Sequence, residues 1–263
     1  MSRSMPPKSR FSWVLPAVAL LLWLWPGVTM AQQDPPAEGA PSRGADEPAA
    51  ARESLPPELQ NVLDKLDAAN EGLKDLTARV TYEREIALLE EKQKARGELT
   101  FKKPGRIALT LGKPRNEDVY TDGKTWWLVS HRYNKVEVYK AAEEGEGGRE
   151  AAFLDAAYGK SSEKLLEDYS IELTGKEQED DETIYRLKLT PRPDEDRPAM
   201  YECIEVEVSD RLWLPHVLVL HEQGDEVVHT YNLSKVRTNT GIKDEAFVYE
   251  PPSDYTVVRP EQF

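Results

Sequence analysis

A large antiparallel β-sheet curling toward a barrel, with one N-terminal helix and short helices laid across its inner face, is the fold this sequence predicts. Three observations predict it. From residue 76 to residue 140, and again from Tyr169 to about Val236, apolar residues alternate with charged ones at period two, the pattern of a sheet with one buried face. The runs are short and separated by turn signals, among them Lys103-Pro104-Gly105, Gly112-Lys113-Pro114, Asp122-Gly123 and Gln223-Gly224-Asp225. About ten or eleven strands result, enough for a strongly twisted sheet to curl.

The elements follow in chain order. Arg3, Lys8 and Arg10 precede the apolar run VLPAVALLLWLWPGV, and Thr29-Met30-Ala31 supplies the small residues of a processing site, so residues 1–31 read as a secretory signal cleaved after Ala31. The apolar core, about 15 residues, is shorter than the roughly 20 of a spanning helix. Residues 32–55 are rich in Pro, Ala, Gly and charge and lack hydrophobic periodicity, which reads as a disordered tether. Residues 56–263 remain as one domain with one core. Its single cysteine, Cys203, excludes an intramolecular disulfide. Losing the three basic residues of the signal takes the −14 of the full chain to about −17. Such a surface repels phosphate backbones, so nucleic acid is excluded as a partner.

Leu59, Val62, Leu63, Leu66, Ala69 and Leu73 recur at spacings of three and four behind Pro56-Pro57, which predicts one amphipathic helix. Five or six hairpin-linked strands follow, then a break at residues 147–169 where Phe153, Ala156, Ala157, Leu165 and Leu166 suggest two short helices. Helices inserted between the halves of a large sheet have one efficient place, across its concave face. Five further strands complete the domain. Ile107, Leu109 and Leu111 share one face, and Ile204, Val206 and Val208 share one face of a later strand. That apolar face must be filled by its own side chains, covered by helices, or left for a ligand. The aromatic hairpin YTDGKTWWLVSHRYNKVEVYK, with Trp126 and Trp127 on the two sides of one strand, belongs to the same wall.

The stretch GELTFKKPGRIALTLGKPRNEDVYTDGKTWWLV resembles the signature region of the periplasmic LolA-like outer-membrane lipoprotein carriers, with its basic-basic-Pro turn, apolar strand, Pro turn and Asp-Gly-Lys-Thr turn. AFVYEPPSDYTVV resembles the closing segment of that family. The resemblance implies an unclosed, strongly curved antiparallel barrel with a short-helix lid over a cavity for acyl chains. It places Leu99, Phe101, Ile107, Leu109, Leu111, Val119 and Trp127 at the cavity, and Phe153, Leu154 and Ala157 in the lid. Lys103 stands where well-studied carriers have the arginine that latches the lid. Lysine offers a point charge instead of a rigid fork of donors, so the same multidentate latch cannot form. The implied function is a periplasmic carrier of lipoprotein acyl chains or another lipid toward the outer membrane, served by an inner-membrane release complex and an outer-membrane acceptor. A sensor on the same architecture, regulating a membrane-bound partner, is the alternative, and a module whose interior is filled by its own side chains is a third reading.

Competing chemistry is weak. Gly123-Lys124-Thr125 and Gly159-Lys160-Ser161 lack the first glycine of a P-loop, Asp118 and Leu154 standing there. His216 and His221 are five residues apart and so point to opposite faces of a regular strand, with no neighbouring cysteine or His-x-x-x-His pair, and no metal site is expected. No Gly-x-Ser-x-Gly elbow or paired-carboxylate motif is present. Neither an enzyme nor a cofactor is expected.

Overall fold

The computed structural model describes Arg52, residues 54–140, 153–154, 156–193, 199, 201–224 and 226–259, all within the compact unit Arg43–Phe263. The expected signal, almost all of the expected tether and the acidic loop 143–148 lie outside the described residues. Helix α1, Pro57–Gly72, starts with proline in its first turn and buries Leu59, Val62 and Leu63. Six strands follow: β1 (Asp75–Ile86), β2 (Glu91–Lys102), β3 (Arg106–Leu111), β4 (Glu117–Thr121), β5 (Thr125–Ser130) and β6 (Lys135–Lys140). Residues 153–154 and 156–159 are helical, and α2 is Ser162–Asp168. Then come β7 (Tyr169–Glu179), β8 (Glu182–Pro191), β9 (Tyr201–Ser209), β10 (Pro215–Glu222), β11 (Val227–Thr238) and β12 (Thr256–Val258).

All twelve strands form one unclosed, curved sheet in the order β12-β6-β5-β4-β3-β2-β1-β11-β10-β9-β8-β7. Each half is a meander, and the long antiparallel pairing of β1 with β11 joins the halves. The twelfth strand exceeds the sequence expectation because it is three residues long and pairs in parallel with β6, a contact that local alternation cannot reveal.

Partners across antiparallel strands share a face, so the register divides the side chains. Leu99, Leu109, Val119 and Leu128 form one row of the inner face; Ile107, Thr121 and Trp126 form the next. The inner face continues across β1 and β11 through Tyr82 and Tyr231 and onto β10, β9, β8 and β7 through Leu218, Val206, Leu187 and Leu173. Helix α1, residues 153–154 and residues 156–168 cover it, and together they make one apolar core. Gly97 is required where β2 meets β3, because a Cβ there would lie 1.7 Å from the Thr110 carbonyl oxygen.

The outer face carries a second packed layer. Ala108, Tyr120, Trp127 and Val138 lie across it in register. After β11 the chain crosses this face: Lys102 donates to the Ile242 carbonyl at 2.7 Å, Phe247 is fully buried, Tyr249 stacks on Tyr120 at 5.1 Å, and the Tyr255 hydroxyl meets His131 at 2.8 Å. Asp75 anchors the start of this strap, accepting from Thr240 N, Thr240 Oγ1 and Gly241 N at 2.7 to 3.1 Å. The aromatic hairpin therefore covers two things. Trp126 packs on the inner core, and Trp127 sits on the strap side.

Candidate functional site

The expected cavity residues Leu99, Phe101, Ile107, Leu109, Leu111 and Val119 do come together, and Phe153 and Leu154 from the helical cover pack in the same core. They meet as packed interior. Leu109 is 2 % exposed and Phe101 and Ile107 are fully buried. Large side chains of the cover fill this half: Tyr158 lies against Phe101 at 5.8 Å between ring centroids, and Phe153 lies against Tyr231 at 5.1 Å. The buried Tyr158 hydroxyl donates to the Pro215 carbonyl at 2.8 Å, and burial pushes its pKa above the ordinary phenol value. Trp127 departs from the expected lining. The register of β4 with β5 turns it to the outer face, and Trp126 takes the inner position.

Open space lies over the other half of the sheet. A cleft enclosing about 760 Å³, its mouth included, separates the inner face of β7, β8, β9 and β10 from the helices. Its floor is Ile171, Leu187, Leu189, Ile204, Val206 and Leu218, and its roof includes Leu63, Leu66, Phe153, Ala157 and Leu165. Within it, the centre of a water-sized molecule can move through about 70 Å³, room for a few waters at roughly 15 Å³ each. The position of the cleft follows from side-chain size. Where the cover presents Leu154 and Tyr158 the interior is full, and where it presents Ala156 and Ala157 beside Phe153 space remains. Of the expected lid residues, Phe153 and Ala157 line the cleft.

Polar groups of the cleft lining tie the cover down. The Asp67 carboxylate of α1 accepts from Ser162 N at 2.7 Å and Ser162 Oγ at 2.6 Å, which satisfies a free amide in the first turn of α2. Arg52 donates to Asp67 at 2.9 Å and Asp64 at 2.6 Å and also meets the Ser162 hydroxyl. Asn70 Nδ2 donates to the Lys160 carbonyl at 2.8 Å, and Lys103 Nζ donates to the Asn70 carbonyl at 2.5 Å. Lys103, the latch candidate, thus reaches the cover in two steps through the last turn of α1. Sequence reading missed Asp67, Asn70 and Ser162, because polar residues on an amphipathic helix and at a helix start have ordinary structural uses.

A second polar chain closes part of the inner face elsewhere. Arg115 donates to the Tyr82 hydroxyl and to Glu117, the Tyr82 hydroxyl meets His229 Nδ1 at 2.8 Å, and His229 Nε2 meets Glu222 at 2.7 Å. The order Arg to Tyr to His to Glu gives every member a hydrogen-bond partner. Tyr82 is 1 % exposed, so the chain supports packing and offers no reactive group to a ligand. Gly123, at φ 89°, occupies the β4-β5 turn, where Asp122 Oδ1 accepts from Lys124 N and Thr125 N at 2.8 Å each; the Gly-Lys-Thr triplet is a hairpin turn.

Fold and cleft define a class: an open half-barrel with an apolar inner face and a helical cover that leaves a cleft beneath it. Residues 77–250 match the family described as Outer membrane lipoprotein carrier protein LolA, and the chain belongs to that family. It is 25 % identical over 167 residues to an outer-membrane lipoprotein carrier protein of Nitrosomonas europaea, covering 64 % of this chain and 74 % of that one. Similar solved structures include an uncharacterized conserved protein of Thermus thermophilus (12 % identity, TM-score 0.49, 77 % of this chain and 99 % of that one). A LolA superfamily protein of N. europaea has 14 % identity and a TM-score of 0.40, with 72 % and 97 % covered. Among the described residues no helix is long and apolar enough to cross a membrane.

Proposed function

We propose that this protein is a periplasmic carrier that holds acyl chains of a lipoprotein or another lipid in the cleft over β7 to β10 and moves them toward the outer membrane. The observation that carries the reading is the cleft itself, apolar on floor and roof, with Asp67, Asn70, Lys160 and Ser162 as the few charged and polar members of its lining. Family membership supports it. No catalytic step is assigned: loading exchanges one set of apolar contacts for another. Burial stabilises an acyl chain by about 0.8 kcal/mol per methylene, so a 16-carbon chain gains on the order of 12 kcal/mol on leaving water. Such a chain exceeds the space in the closed cleft, so the 156–168 part of the cover moves outward as the chain enters, breaking the Asp67 to Ser162 and Asn70 to Lys160 hydrogen bonds. An inner-membrane release complex and an outer-membrane acceptor would set the direction of travel.

The test is titration of the purified protein with a fluorescent lipidated peptide and with the same peptide lacking its acyl chains, together with mass spectrometry of the lipids that co-purify. A carrier binds the lipidated form, competes it with co-purifying lipid, and passes it to acceptor vesicles. Equal affinity for both peptides would sink the reading. Retention of lipid with a stable membrane-protein partner and no transfer would favour a sensor.

A further inference from the structure

We infer that Cys203, Glu205 and His221 form a metal site on the outer face of β9 and β10, a three-ligand set suited to Zn²⁺ with a fourth position open to water. It is independent of the lipid reading, since these residues lie on the face of the sheet opposite the cleft.

The grounds on which sequence alone excludes a histidine site do not hold in the fold. Five residues separate His216 from His221, which on a regular strand puts them on opposite faces. The register of β10 against β9 shifts between Pro215 and Val217, so a bulge at His216 restores both imidazoles to the outer side, His216 near Glu207 at 3.9 Å and His221 near Glu205 at 3.6 Å. The missing cysteine also appears. Cys203, eighteen residues before His221 in the chain, is its direct cross-strand partner, and Glu205, two residues further along β9, shares the same face.

The donor atoms of the three residues all lie within 4.8 Å of one another. Zinc binds sulfur at about 2.3 Å, imidazole nitrogen at about 2.0 Å and carboxylate oxygen at about 2.0–2.2 Å, which places tetrahedral ligands roughly 3.3–3.7 Å apart. From the 4.8 Å limit, binding draws the donor atoms together by about 1 Å. The donors also differ in accessibility as a metal site needs. Cys203 is buried, while the Glu205 side chain is 53 % exposed, so an ion enters past the carboxylate toward the thiolate. A thiolate with an imidazole selects zinc and other soft or borderline metals over Mg²⁺ and Ca²⁺. The acidic chain attracts cations. Lys188, which pairs with Glu205 on the same face from β8, competes for the carboxylate and limits affinity. Bound there, the ion clamps β9 to β10, whose other face supplies Ile204, Val206 and Leu218 to the floor of the cleft.

The experiment uses the full chain without a histidine tag, stripped with chelator, and titrates it with ZnCl₂ and CoCl₂. The expected result is one equivalent of zinc, a thiolate-to-cobalt charge-transfer band, and a melting temperature raised by zinc and unchanged by MgCl₂. Cys203→Ser abolishes the band. His221→Asn and Glu205→Gln each weaken zinc by at least about tenfold, given that changes even to groups outside the ligand set commonly cost 10–100-fold. His216→Asn leaves binding unchanged. Circular dichroism without metal identifies any variant that fails to fold, and the His221 and Glu205 variants, nearer the surface, still decide the matter if Cys203→Ser does. Absence of stoichiometric zinc, a cobalt spectrum without the thiolate band, or equal zinc affinity in folded Glu205→Gln and His221→Asn would overturn the site.

Discussion

The ammonium of Lys103 lies 2.5 Å from the carbonyl oxygen of Asn70, on the last turn of α1. That carbonyl already accepts the amide of Leu73, the C-cap residue, at 3.0 Å, and the ammonium adds a full positive charge at the favourable end of the helix. The Asn70 side chain then holds the Lys160 carbonyl. Lys103→Met is expected to loosen both contacts, costing about 1.5–3 kcal/mol for a charged hydrogen bond, with faster amide hydrogen exchange at residues 70–73 and across 156–168. Unchanged exchange in the second segment would show that Lys103 holds α1 without holding the cover.

Packing distinguishes the two halves of the inner face. Leu109→Glu places an unpaired charge in filled core and is expected to unfold the domain, since that cost of several kcal/mol consumes most of a typical stability of about 5–15 kcal/mol. Ala157→Phe instead fills the cleft from a half-buried position on its roof. Circular dichroism should remain native while affinity for a lipidated peptide falls at least about tenfold, or 1.4 kcal/mol. A folded, non-binding Leu109→Glu would put the ligand over β2 to β4 instead.

Asp67 accepts from two groups of Ser162 and is paired with Arg52. Asp67→Ala leaves the first turn of α2 without its partner, and local opening of the 156–168 region should become easier by about 1.5–3 kcal/mol. Stopped-flow loading should be faster and retention shorter. If loading requires no movement of the cover, neither rate changes.

Asp75 is buried, which by itself raises a carboxyl pKa, but hydrogen bonds from Thr240 and Gly241 outweigh burial and hold it below its ordinary 3.8. Because the folded value is the lower one, the stabilisation is fully present above about pH 4, declines as pH falls below the unfolded value, and is gone once pH passes below the folded value. Asp75→Ala should cost about 3 kcal/mol at neutral pH, release the strap, and flatten the acid limb of stability measured by urea denaturation. An unaltered acid limb would assign that limb to other carboxylates.

Much of the architecture was legible because it rests on local chemistry. Period-two alternation, Pro and Gly punctuation, and the spacing of Leu59, Val62, Leu63 and Leu66 determine strands, turns and α1 wherever they sit. The inner face could be read for the same reason, and Leu99, Leu109 and Val119 do share it. Alternation names a face, however, and does not say what covers it or how tightly. Trp126 and Trp127 are equivalent in sequence, and their assignment depends on a register set by the Asp122-Gly123 turn and by the neighbouring strands.

What the sequence by itself determined is α1, the hairpin-linked strands, the buried face and the family signature, since each follows from residues near one another in the chain. Tertiary structure decided the rest. The cleft exists where Ala156 and Ala157 oppose β7 to β10 and is absent where Leu154 and Tyr158 fill the interior, and that pairing depends on where a segment lands after crossing the sheet. Asp67 became a cover contact through a partner 95 residues away. A one-residue bulge at His216 reversed the facing of a histidine that strand parity had assigned. In each case long-range pairing brings together groups whose separation along the chain carries no information about their separation in space.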